Sequence, residues 1–212
     1  MNQSKEELDM QRDIRSATMV DPMLNANGYV KNNPIEIIVH HTGGTDTDPK
    51  ADTSNHTFEI VDDWHRQLWN FKSQLGHYIG YHYFIDKTGK VTQGRADYEA
   101  GAHTIGENTR SLGICLAGNF DVTLPTAEQE HALEHLLKQL LVAYDHIKVT
   151  DIHPHRRYAH KTCFGNRLAN EWAQGIALRD DFEDLKLEAR SIITNLKKET
   201  DRLELILNRI WQ

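Results

Sequence analysis

The run Ile35-Glu36-Ile37-Ile38-Val39-His40 constrains the fold more than any other stretch. It is rich in β-branched residues and bounded by Pro34 on one side and Thr42-Gly43-Gly44 on the other, which predicts a buried strand. Helix and strand patterns then alternate along the chain. Over residues 54–72, Phe58, Val61, Trp64, Leu68 and Trp69 recur at helical spacing. Residues 81–85, the turn Asp86-Lys87-Thr88-Gly89-Lys90 and Val91 read as strand, turn and strand. Residues 112–117 form a further short strand. Thr126, with Gln129 three positions on, marks the capped start of a helix reaching about His146. This interleaving predicts the α/β class, a mixed central sheet with helices packed on it.

Composition divides the chain into three regions. Residues 1–33 are polar, end in a turn-rich stretch and read as an N-terminal extension; Ser4-Lys5-Glu6-Glu7 suggests a short exposed helix there. Residues 34–175 carry the strand and helix signals. In residues 176–212, Leu178, Phe182, Leu185, Ala189, Ile192, Leu196, Glu199, Leu203, Ile206 and Ile210 follow alternating steps of four and three, and only Glu199 breaks the apolar seam. That heptad spacing predicts a long C-terminal helix, roughly 50 Å at 1.5 Å per residue, which forms a coiled coil and makes the chain a homo-oligomer. The competing arrangement is a helix folded back onto its own domain.

Charge and apolar content exclude several classes. A net charge of −7 over 212 residues argues against nucleic acid as the partner. No apolar run is long enough to span a membrane. The charged first ten residues show no export signal. Cys115, in Leu-Gly-Ile-Cys-Leu-Ala-Gly, reads as a buried inert thiol, and no disulfide with Cys163 is expected.

The chain holds thirteen histidines. Three of them, with a lysine and a cysteine, fall in His153-Pro-His155-Arg-Arg-Tyr-Ala-His160-Lys161-Thr-Cys163-Phe164-Gly165. Packing requires no such set, whereas a metal site does, and zinc takes nitrogen and sulfur donors. A further ligand must come from elsewhere. His40 and His41 end a strand, and because successive strand residues point to opposite faces, only one of them readily serves a given site. His153 is the rival of His155. The segment His131-Ala-Leu-Glu134-His135 matches an inverted zinc-protease motif. Its histidines lie opposite the buried stripe of Leu133, Leu136, Leu137, Leu140, Leu141 and Tyr144, so they are expected to face solvent.

Five motifs in order carry a family resemblance: Val39-His40-His41-Thr42, Gly80-Tyr81-His82-Tyr83-Phe84-Ile85, Gly101-Ala102-His103, Asn108 to Gly118, and Pro154-His155-Arg156 to Lys161-Thr162-Cys163. Over residues 34–175 the chain resembles the zinc-dependent N-acetylmuramoyl-L-alanine amidases, whose fold is shared by short phage amidases and peptidoglycan recognition proteins. The resemblance implies a zinc ion held by His40, His155 and Cys163, with Tyr81 and Lys161 as catalytic residues. It also implies a peptidoglycan substrate cut at the amide joining N-acetylmuramic acid to L-alanine. His103, His41 and Phe164 are expected to contact substrate, with His153 and His160 left at the cleft edge or surface. A phage endolysin, made in the host cytoplasm and released to the wall, is the implied setting. A non-catalytic wall-binding module on an oligomerising stalk is the alternative. Phe164 stands where the family usually has proline, a departure that bears on the path of the loop carrying the thiolate.

Overall fold

In the computed structural model, which describes residues 29–45, 47–179, 193–194 and 196–204, the opening strand is β1, Glu36–His41. Every residue of β1 is buried, the mark of a central strand covered on both faces. β4 (Ser111–Leu116) and β5 (Ile152–Pro154) flank it in parallel, with β2 (Tyr83–Ile85) parallel to β4 and β3 (Val91–Gln93) antiparallel at the edge. The sheet order is β3-β2-β4-β1-β5.

Strand alternation sorts the two cores. Ile37 and Val39, with Leu112, Ile114 and Leu116, face α2 (Ala127–Ala143) and α3 (Trp172–Ala177), where Leu133, Leu137 and Ile176 meet them. The opposite face carries Phe84, Cys115 and Ala117 under α1 (Phe58–Leu68), which contributes Phe58 and Val61. Full burial of each such side chain is worth about 1.5–3 kcal/mol, enough to outweigh the weak local preferences of three-residue strands.

Local chemistry sets the helix ends. The Thr126–Gln129 capping box is present in both directions, so α2 starts where the sequence places it. α1 begins later than its apolar spacing suggests, because Thr57 caps it by accepting from Ile60 N. It ends before Asn70, whose φ of 56° stops the helix. His65, not Trp64, is the buried member of its third turn, with Nδ1 accepting from Gly80 N at 2.9 Å. β5 and α3 have no counterpart in the sequence reading: three residues containing a proline, and six following a turn, are too short for periodicity to register.

The folded unit also takes in residues before Pro34. Lys31 bridges Glu99, and buried Asn32 donates through Nδ2 to Asp97 O and Ser111 O. Residues 179–212 form a separate unit, in which 193–194 and 196–204 are helical. Of the heptad seam beyond Leu178, only Leu196, Glu199 and Leu203 are described; the rest of the coiled-coil expectation, like the expected helix at residues 4–7, lies outside the described residues.

A buried histidine on β2's leading edge makes stability pH-dependent. His82 Nε2 donates to Glu99 O at 2.8 Å and its Nδ1 accepts from Gly113 N at 3.0 Å, an arrangement only the neutral ring satisfies. Burial lowers its pKa to about 4, partly offset by the Glu99 carbonyl. The unfolded chain therefore binds more protons between pH 6.5 and 4, and stability falls as pH falls through that window, by about 3 kcal/mol for this residue. Urea midpoints taken across the range are expected to show a shallower slope for His82→Gln than for the unsubstituted chain. Equal slopes would detach His82 from acid unfolding.

Candidate metal centre

Register brings the first two ligands together. β1 and β5 are parallel with Val39 opposite Pro154, so His40 and His155 leave the sheet side by side at its carboxyl edge. In open α/β sheets that edge is where ligands bind. Their rings lie 4.5 Å apart, centroid to centroid.

The third ligand arrives on a loop clamped from two directions. His155 opens a 3-10 turn, and the next residue, Arg156, donates from its backbone to Cys163 O at 2.6 Å. The Arg156 guanidinium reaches Gly165 O (2.8 Å), Leu168 O (2.7 Å) and Asn170 Oδ1 (2.6 Å). From the other side, Asp121 accepts from Thr162 Oγ1 and from Asn166 N. Cys163 Sγ is thereby set 3.8 Å from His40 Nδ1 and accepts from His41 N at 3.4 Å. One donor atom each from His40, His155 and Cys163 lies within 4.8 Å of the others, and all three residues are buried.

This donor set fits zinc, which favours imidazole nitrogen and cysteine sulfur, with three protein ligands leaving a position open for chemistry. Burial holds His40 well below the ordinary histidine range, with His155, His103, His41 and Lys161 adding to the effect. Burial, then Lys161 and His41, lowers His155 to about 3, so both imidazoles keep a free lone pair. Burial pushes the Cys163 thiol up to about 12 against the opposing His41 N–H and Lys161 charge. Binding a cation displaces that thiol proton.

Around this centre the remaining site residues separate into two groups. The Tyr81 ring is centred 5.0 Å from that of His40, tilted by 53°; burial, and after it Cys115 and Cys163, raise its pKa well above the usual value. Lys161 is exposed, and its charge is felt by all three metal-ligand candidates. Tyr81 and Lys161 thus lie around the His40–His155–Cys163 cluster. Three others differ. His41 is buried, its Nδ1 accepting from Phe120 N at 2.9 Å, because strand alternation turns it to the α2 face. Phe164 is fully buried against Trp172 and beneath the Arg156 guanidinium, so it is a core residue, not an aromatic at a cleft edge.

His103, expected to touch substrate, turns its ring nitrogens inward. Its Nδ1 lies 3.0 Å from His40 Nε2 and 3.0 Å from Thr104 Oγ1, while its Nε2 is buried with no partner. The ring lies over Gly101 and Gly113, where a Cβ would come within 2.4 Å and 2.5 Å of it. Asn108 Oδ1 holds the segment by accepting from both His103 N and Thr104 N. His153 is the middle residue of β5, its ring 3.9 Å from Glu36, and His160 is exposed. Sequence reasoning missed Arg156, Asp121 and Thr104 as organisers. Their common signal is a short polar side chain or arginine next to a ligand-bearing loop, which is too frequent to single out.

The fold is thus a mixed α/β sheet bearing, at the carboxyl edge of its central strand, a buried His-His-Cys cluster that could hold a metal ion. Residues 31–166 match the family described as N-acetylmuramoyl-L-alanine amidase (Amidase_2), and the chain belongs to it. Peptidoglycan-recognition protein SD of Drosophila simulans is 36% identical over 108 residues, 50% of this chain and 53% of that protein. The endolysin of Escherichia phage T7 is 30% identical over 109 residues, 49% of this chain and 70% of that protein. The chain thus spans about half the length of curated relatives such as the first. Among solved structures, the endolysin amidase LysCS from Clostridium intestinale URNW is 30% identical with a TM-score of 0.53, covering 68% of this chain and 83% of its own.

Proposed function

We propose that this chain hydrolyses the amide between the lactyl group of N-acetylmuramic acid and L-alanine in peptidoglycan. The observation that carries the reading is the convergence of His40, His155 and Cys163 beside the Lys161 rim, in a chain of the amidase family. Zinc is the proposed metal; bound there, it supplies a Lewis acid that brings the pKa of water towards neutrality.

The chain's own residues do the rest. Lys161 places a positive charge where negative charge grows on the carbonyl oxygen of the scissile amide. The Tyr81 hydroxyl, kept protonated, orients the attacking water. His40 presents Nδ1 towards Cys163 and Nε2 to within 3.0 Å of His103 Nδ1; with Nδ1 given to the metal, the His40 proton sits on Nε2 and His103 Nδ1 accepts it. His103 is thus a positioning residue that fixes the tautomer and aim of a ligand. His103→Ala is expected to weaken zinc binding about 10- to 100-fold in chelator competition, with His103→Gln, whose amide oxygen also accepts, recovering part of it. Equal affinity in all three proteins would leave His103 a packing residue only.

The deciding experiment follows new L-alanine amino termini released from purified peptidoglycan by the metal-stripped protein, before and after zinc is restored. Zinc-dependent release without new reducing sugar ends is the expected result. Wall binding without release would make the chain a recognition module. The same reading places it as a phage endolysin acting after release from the host cytoplasm, supported by similarity to proteins of that name. The heptad spacing supports self-association through residues 176–212. Leu196 and Leu203 are 62% and 58% exposed and open to a partner helix, and a dilution series by sedimentation tests it.

A further inference from the structure

The His131-Ala-Leu-Glu134-His135 segment is no protease centre, yet its geometry is not that of an idle surface. Glu134 is buried at the helix flank and pairs with Lys138 at 2.8 Å, so it has no cleft in which to act as a base. Both histidines are exposed on α2. Their Nε2 atoms nevertheless converge to 3.1 Å, with ring centroids 4.3 Å apart and planes 88° to each other.

That separation is the bite of a chelate. With metal–nitrogen bonds of about 2.0–2.1 Å, two imidazoles subtending between about 90° and about 109° at a cation stand about 2.8–3.4 Å apart. The scaffold under the pair is rigid, because the same turns of α2 bury Leu133, Leu136 and Leu137 in the core. Residues four apart on a helix face the same way, so little ordering is left for binding to impose. The rings line a shallow depression of about 440 Å³ whose other walls include Thr88 and Gly89 of the β2–β3 turn, Glu128 and Gln139. It has room for the waters that complete a coordination shell.

We propose that His131 and His135 form a second, surface metal site, a two-imidazole chelate for a borderline transition cation such as Cu²⁺, Ni²⁺ or Zn²⁺. Its remaining positions are open to water. The donor set does not suit Ca²⁺ or Mg²⁺, which take oxygen ligands, and affinity should follow the order Cu²⁺ above Ni²⁺ or Zn²⁺. The site shares no residue with the His40–His155–Cys163 cluster and stands independently of the amidase reading.

Titration of the untagged, metal-stripped full chain with CuCl₂ and NiCl₂ tests it, alongside His131→Ala, His135→Ala and Cys163→Ser. The second imidazole acts at high effective concentration, so losing either histidine is expected to weaken the surface site about a hundredfold or more. Cys163→Ser should leave that site intact, and the part of its copper spectrum that is lost when His131→Ala is added should report two nitrogen ligands. Both alanine variants lie on solvent-facing positions and should release L-alanine termini at the rate of the unsubstituted chain. Binding curves for Cu²⁺ and Ni²⁺ that are the same in the unsubstituted chain and both alanine variants would overturn the proposal, leaving the 3.1 Å contact as an imidazole–imidazole hydrogen bond.

Discussion

Cys163→Ser is expected to lose about 10³-fold or more of the release of L-alanine termini, with zinc content after dialysis falling to background. A hydroxyl is a poor zinc ligand at neutral pH, and the Lewis-acid contribution it forfeits is several kcal/mol, at 1.36 kcal/mol per tenfold in rate. The fold should survive, since a serine oxygen in place of Sγ still accepts from His41 N and the loop stays clamped by Arg156 and Asp121. The thermal midpoint of the metal-free variant should therefore stay near that of the metal-free parent, whereas zinc should raise the midpoint of the parent alone. Zinc-dependent release that persists in Cys163→Ser would remove the His-His-Cys centre from the mechanism.

Lys161→Ala separates metal binding from charge stabilisation. Lys161 is exposed, so its loss should leave the fold and the zinc stoichiometry unchanged. Turnover is expected to drop about 10²–10³-fold, the usual cost of one electrostatic donor to a developing oxyanion, with the loss in kcat and not in wall binding. Lys161→Arg, which keeps the charge at greater reach, should recover part of the rate. A Lys161→Ala protein with full zinc and unchanged kcat would sink the assignment.

Both experiments bear on residues that the chain announces by type. The scarcity of Cys and the clustering of His and Lys at residues 153–165 mark a candidate metal loop before any fold is known, and the three residues that the family resemblance implies do lie within 4.8 Å of one another through one donor atom each. The β-branched run of β1 and the Thr126–Gln129 box were equally legible, because their signals are local: side-chain alternation in one, two reciprocal hydrogen bonds in the other. β5 was not. A three-residue strand is made by pairing with β1, and nothing within Ile152-His153-Pro154 records that partner.

Direction, not adjacency, decides what the side chains around the cluster meet. His41, His103 and Phe164 were each expected to meet substrate because each adjoins a ligand or a cleft-forming motif, yet adjacency in sequence says nothing about direction. His41 is turned to the α2 face, where it accepts from Phe120 N, by the alternation that gives His40 to the His-His-Cys cluster. His103 is drawn inward because Gly101 and Gly113 leave room for an imidazole that any Cβ would refuse. Phe164 fills the core below the loop because Arg156 and Trp172 close over it.

The amino-acid sequence by itself determined the α/β class, the capped helix, the crowding of candidate metal ligands at residues 153–165 and the absence of any use for His131 and His135 in the core. Those are properties of residue type, period and spacing, which the chain carries wherever it is. Only tertiary structure decided which of two adjacent histidines joins the cluster, which nitrogen of His40 faces Cys163, and that His131 and His135 converge at chelating distance. Each of these depends on strand register or rotamer, and both are settled by contacts between residues far apart in the chain or on successive turns of a packed helix.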